Sequence, residues 1–314
     1  MIRFPHCERC SKKGLNCSYD LEPLSQYTTL AFQKGQGSLE KHPDGAIHCL
    51  LNKDSQHRHH GSCPMPTAAL NVREGIEYVL AVLAQVPHQV TGQRPSIFIH
   101  PGRRHSANHH WLSQAMDDVR ACLDIRPSHK NFQALLRTDS IYRTLGEILI
   151  EVQAMMLYLL VFMFQGNSET QTEARLYFPY LTQRVKQLED HVPEFDGLGL
   201  TPWQAWLFGE STRRTILSSH VLTCVFFQGR YEAPDAKLHM ESLPFDDRGG
   251  LWLAETAQAW LAAAGERRGT DVRTNLVSWH EFGCKSPSIC MAEDGDVFLS
   301  MMLVCHNGKS SLGL

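Results

Sequence analysis

The run Ala154-Met-Met-Leu-Tyr-Leu-Leu-Val-Phe-Met-Phe164 constrains this chain more than any other stretch. It is apolar on every side of a helix, so its place is the middle of a bundle or a bilayer. Glu147, Glu151 and Gln153 interrupt the pattern upstream, and Gln165-Gly166-Asn167 stops it. That leaves it short of the roughly 18–20 apolar residues a bilayer requires. The pattern therefore predicts a buried helix within 140–164 and no membrane partner. Burying side chains of this size stabilises by ~1.5–3 kcal/mol each before entropy is subtracted, so the other elements are expected to pack around this helix.

Those other elements also read as helical. Val72, Ile76, Val79, Leu80 and Leu83 fall at helical spacing and are expected to stop before Pro87. Trp111, Leu112, Ala115, Val119 and Leu123 make a second amphipathic stripe ending before Pro127. One helix is expected over 170–191, and another opens at Thr201-Pro202, an N-cap followed by proline at the first helical position. A short helix is expected over 275–282, and an apolar one from Val297 that Asn307-Gly308 ends. The fold class is all-α. A body over 68–314 follows a flexible linker over 21–67, rich in Gln, Ser, Gly, His and Pro, and a separate segment over 1–20.

That first segment carries Cys7, Cys10 and Cys17, with two and six residues between them. Thiolates at this spacing suit zinc, yet a tetrahedral ion takes four ligands and three are present locally. Ten cysteines scattered over 314 residues do not make a disulfide scaffold, and 1–19 is polar and basic, unlike a secretory leader. The formal net charge of −3 argues against a chain coated for nucleic acid. Within 1–20, however, Arg3, Arg9, Lys12 and Lys13 outnumber Glu8 and Asp20. Such a patch touches phosphates without holding DNA tightly. The histidines at 57–60 with Cys63, and those over 105–110, read as solvated side chains.

Pro5, Cys7, Cys10, Cys17 and Tyr19 together resemble the second half of the binuclear zinc cluster of fungal six-cysteine transcription factors. The resemblance implies zinc on Cys7, Cys10 and Cys17, two ions in the complete cluster, and phosphate contacts from Arg9, Lys12 and Lys13. The first half of that cluster, which presents basic side chains to the major groove, does not precede these residues here. Weak DNA binding by the chain as it stands is therefore expected, with sequence preference needing the first half. A second stretch, Trp203, Trp206, Glu210, Arg213, Arg214 and Thr215, resembles the regulatory middle region of the same family. Leu243-Pro244-Phe245, Leu251-Trp252, Ala259-Trp260 and the run from Phe298 to Cys305 also fit it. The implied function is a nuclear, pathway-specific regulator of RNA polymerase II genes, such as a metabolic or secondary-metabolite cluster. DNA and the transcription machinery are its implied partners, and homodimerisation is a further option, although no heptad repeat follows the cysteines.

Glu210 and Arg214 lie four residues apart on an apolar stripe, acid first, and are expected to pair structurally because an unpaired buried charge costs several kcal/mol. His280 and Cys284, with Cys290 near, have ligand spacing but read as packing. The chain has no phosphate-binding glycine loop, dinucleotide fingerprint or nucleophile elbow. A non-enzyme is expected. Two alternatives stay open: a non-DNA-binding helical interaction protein of the same family, and a helical enzyme or small-molecule binder.

Overall fold

The computed structural model describes residues 73–103, 110–124, 129–137, 144–192, 200–227, 239–265, 276–284 and 295–308. The cysteine segment over 1–20 and the linker over 21–67 lie outside the described residues. The fold is all-α, with one short two-stranded pairing among the described residues. In chain order its helices are α1 (Arg73–Thr91), α2 (His110–Asp124), α3 (His129–Leu136), α4 (Leu145–Gln165), α5 (Ser168–Arg175), α6 (Phe178–His191) and α7 (Pro202–Phe227). Then follow β1 (Pro244–Asp246), α8 (Gly249–Trp252), α9 (Ala257–Ala263), β2 (Leu276–Ser278), α10 (Trp279–Cys284) and α11 (Val297–Asn307).

The apolar run is the second half of α4, and the other six of the first seven helices all touch it. Contrary to the sequence reading, α4 as a whole helix is long and apolar enough to cross a bilayer, because Glu147, Glu151 and Gln153 do not interrupt it enough; it is buried by those neighbours instead. Its start is set by a capping box: Glu147 N–H donates to Thr144 Oγ1, and Thr144 N–H donates to Glu147 Oε2. One of its two buried polar residues is satisfied across the core. Gln153, buried, donates from Nε2 to Phe98 O at 3.0 Å and Thr215 Oγ1 at 3.1 Å, tying α4 to the loop after α1 and to α7.

Three further expectations are corrected. The first helix does not stop at Pro87 but runs through it to Thr91. Proline removes one helical hydrogen bond at a cost of ~3 kcal/mol, and burial of Val86 and Val90 on the core face offsets that. The single helix expected over 170–191 is two helices, because Pro179 in the first turn of α6 has no N–H to continue the preceding turn. Leu176 and Tyr180 flank that break and are 68% and 51% exposed. The start of the helix expected over 275–282 is strand instead: Leu276–Ser278 pairs antiparallel with Pro244–Asp246, and α10 begins only at Trp279. All three residues of each strand are buried, so tertiary pairing overrides local pattern.

α11 closes the body against α1 and α10. Its contact with α10 depends on Gly283, where a Cβ would lie 2.1 Å from Cγ of His306. Trp279 Nε1 donates to Met302 O at 2.9 Å across the same seam. A second, smaller apolar cluster joins Trp206 and Leu207 of α7 to Leu251, Trp252, Ala254 and Trp260.

Candidate functional site

The N-terminal turn of α7 is fixed reciprocally, with Thr201 N–H donating to Gln204 Oε1 and Gln204 N–H donating to Thr201 Oγ1. Two turns further on, the helix enters the core with Glu210, Arg213 and Arg214 still on it, all buried. Arg214 Nε donates to Glu210 Oε1 at 2.8 Å, and Arg213 Nε donates to Glu210 Oε2 at 3.0 Å. Helical spacing brings these three together, which is the part of the site visible in the sequence.

The remainder arrives from far along the chain. Arg214 Nη1 and Nη2 donate to Asp296 Oδ1 at 3.1 Å and Oδ2 at 2.6 Å, a bidentate fork. Asp296 is also the N-cap of α11, accepting from Phe298 N–H. The guanidinium carbon of Arg214 sits 4.3 Å from the Trp252 ring centroid and 4.4 Å from that of Phe298, a cation between two aromatic faces. Asp246 of β1 donates its N–H to Glu210 Oε2 at 3.2 Å. Its carboxylate accepts from Trp206 Nε1 at 3.1 Å and from Arg248 Nε and Nη2 at 2.8 and 2.6 Å.

Three carboxylates and three guanidiniums thus balance inside the fold, locking α7, β1 and α11 together beside α8. Burial opposes the charge of Arg214, but Asp296 and Glu210 outweigh it and hold the guanidinium above its ordinary range. Arg248 is raised in the same way, burial being outweighed by Asp246. Every carboxylate here is committed to a cation or a backbone N–H, so the arrangement clamps elements and offers no poised proton carrier. Asp246, Arg248, Asp296 and the two aromatic faces were missed by sequence reasoning. Asp296 left one signal, an Asp directly before the apolar run from Val297.

A second polar group lies at the far end of α7. His220 Nε2 and His239 Nε2 stand 3.1 and 3.2 Å from the same oxygen, Oε1 of Glu189 at the end of α6. Burial pushes the Glu189 carboxyl up, but the hydrogen bonds from His220 and His239 prevail and it is lowered to about 2. No local spacing in the sequence announced this group.

The structure brings the sequence-predicted His280 and Cys284 together, with Cys284 Sγ 3.6 Å from His280 Nε2 and the His306 ring beside them. Cys284, however, is held in a disulfide, so its sulfur is not a free thiolate ligand. Cys290, like Cys7, Cys10, Cys17, Arg9, Lys12 and Lys13, lies outside the described residues.

Compared with known proteins, the chain is 24% identical over 189 residues to Transcription factor gsfR2 of Penicillium aethiopicum, which is 55% of this chain. The chain is similar to a fungal transcription factor. It spans 44% of that relative's length. No family model matches, and no solved structure matches. The likeness agrees at that coarse level with the resemblance read from the cysteines and from Trp203 to Thr215.

Proposed function

We propose that this chain is a pathway-specific transcriptional regulator of the fungal zinc-cluster class, acting in the nucleus on RNA polymerase II genes. The observation that carries this reading is the similarity to gsfR2, a fungal transcription factor, over more than half of the chain. The local resemblances at Cys7–Tyr19 and Trp203–Thr215 support the same class.

In this reading Cys7, Cys10 and Cys17 hold zinc as thiolates, completed by further ligands, and Arg9, Lys12 and Lys13 neutralise DNA phosphates. Phosphate contacts position a protein without reading sequence, so base selection needs side chains beyond these three. The helical body acts as the regulatory part, without catalysis, and its partners are the transcription machinery. The charge lock serves this role by making α7, β1 and α11 one mechanical unit, so that a perturbation at one element is felt at the others.

The test is a fusion of the full chain to a heterologous DNA-binding domain at a reporter promoter, with a fluorescent tag reporting location. Nuclear accumulation with a severalfold change in reporter output is expected. Unchanged output from a nuclear, well-expressed fusion contradicts a regulatory body. Zinc analysis of the full chain and its Cys7→Ser, Cys10→Ser double variant tests the metal assignment, and equal zinc content in both would refute it.

A further inference from the structure

We infer that Glu189, His220 and His239 form a binding site for a divalent transition metal, zinc being the best-matched ion, that staples α6 and α7 to the helical turn at 239–242. The three ligand atoms, one carboxylate oxygen and two imidazole nitrogens, lie within 4.8 Å of one another. Both nitrogens are Nε2 and both face Oε1 of Glu189, at 3.1 and 3.2 Å. Ligands at about 2.0–2.1 Å from a tetrahedral zinc are separated from each other by about 3.3 Å. Two edges of the required tetrahedron are therefore already present to within a few tenths of an ångström.

The three residues come from separate places in the chain, brought to one point where α6 packs on α7. Glu189 lies in the last turn of α6, His220 is 31 residues on in α7, and His239 is 50 residues from Glu189. The two rings meet edge to face at 5.8 Å between centroids, which leaves both nitrogens aimed at the carboxylate instead of stacked away from it. Exposure is graded across the site, with the side chain of Glu189 at 7%, His220 at 14% and His239 at 33%. The buried side supplies the charge, and His239 is the most exposed of the three ligands. Two imidazoles and one carboxylate suit zinc; a hard cation such as magnesium prefers oxygen ligands alone. For metal binding each Nε2 gives up its proton, to its own Nδ1 from the neutral ring or to solvent from the protonated one, so that two hydrogen bonds are replaced by three coordinate bonds. This site is independent of the N-terminal cysteines and of the proposed regulatory role.

The experiment uses the full chain with Cys7, Cys10 and Cys17 changed to serine, titrated with cobalt as a spectroscopic stand-in for zinc. One equivalent is expected to give visible d–d bands without sulfur-to-cobalt charge transfer, and zinc is expected to bleach them. At zinc about a hundredfold above its dissociation constant, Tm is expected to rise on the order of 5 °C. His220→Ala and His239→Ala, each compared with its own metal-free Tm, should lose that rise and bind at least about 100-fold more weakly, beyond the 10–100-fold lost with outer-sphere partners. Glu189→Gln keeps the side-chain shape and guards against a folding failure in the histidine variants; it too should lose the bands. Absence of cobalt bands in the serine background, or bands and Tm rise unchanged in the variants, overturns the assignment.

Discussion

The two ends of α7 handle buried charge in opposite ways. Near its start, Glu210 and Arg214 are both 0% exposed, and each Arg214 nitrogen is matched to a carboxylate oxygen. Near its end, His220 and His239 share one oxygen of Glu189 at the rim of the fold. In the first group Arg214 and all three carboxylates are matched by partners from α7, β1 and α11, while the second is a compact, partly exposed cluster. A saturated network holds one arrangement because every alternative strands a charge. The cluster at the other end of the same helix takes up its ion without disturbing the lock ten residues away. This contrast predicts that damage at the two ends has different size and different cure.

The largest effect is expected for Arg214→Ala. It leaves Glu210 and Asp296 buried without their shared cation and empties the space between Trp252 and Phe298. A loss of about 3–5 kcal/mol is expected, measured by denaturant unfolding. A loss under about 1 kcal/mol would erase the difference between the two ends. Glu189→Gln should cost less in the metal-free protein, about 1–3 kcal/mol, because a neutral acceptor remains for one histidine. A cost equal to that of Arg214→Ala would place both groups in the same class.

Arg213 sharpens the comparison from within the lock. Its Nε reaches Glu210, but Nη1 and Nη2 are buried with no hydrogen-bond partner among the described residues. Arg213→Met should therefore change stability by less than about 1 kcal/mol in either direction, since the lost ion pair is offset by relief of two stranded donors. A loss like that of Arg214 would mean that both arginines bear the load equally.

The smallest effect is a difference in reactivity between two thiols. Burial pushes Cys224, on α7 just past His220, up to about 11, and pushes Cys305 of α11 up further. Both are neutral at pH 8 and should alkylate slowly in the folded protein, Cys224 the faster because it is only half-buried. A folded value raised above the ordinary 9 stabilises the protein below pH 9, and this contribution is lost as pH rises from 9 toward 11. Site-resolved mass spectrometry after timed alkylation reads the rates, and Cys305 reacting first would contradict the packing of α11.

Much of the scaffold was legible because its signals are local. The all-round apolar character of 154–164 and Thr201-Pro202 before α7 need only neighbouring residues to be understood. Glu210 with Arg214 was visible for the same reason, being one helical turn apart. What failed to show was whatever depended on distance. Leu276–Ser278 becomes strand only because Pro244–Asp246 lies beside it, and helix-like spacing cannot report that. Pro87 reads as a stop until the burial of Val86 and Val90 beyond the turn is known. Asp296 stands 82 residues from Arg214, and Glu189 stands 31 from His220, so no motif spacing could join them.

The most direct test of the lock is a double-mutant cycle on Arg214→Met and Asp296→Asn, with unfolding free energies measured for all four proteins. Asparagine keeps a capping oxygen for α11, so the cycle isolates the charge pairing from the cap. A coupling above about 2 kcal/mol is expected, toward the upper end of what contacting residues show. A coupling below about 0.5 kcal/mol would mean that α7 and α11 are held by packing alone, and that the buried charges do not organise the fold.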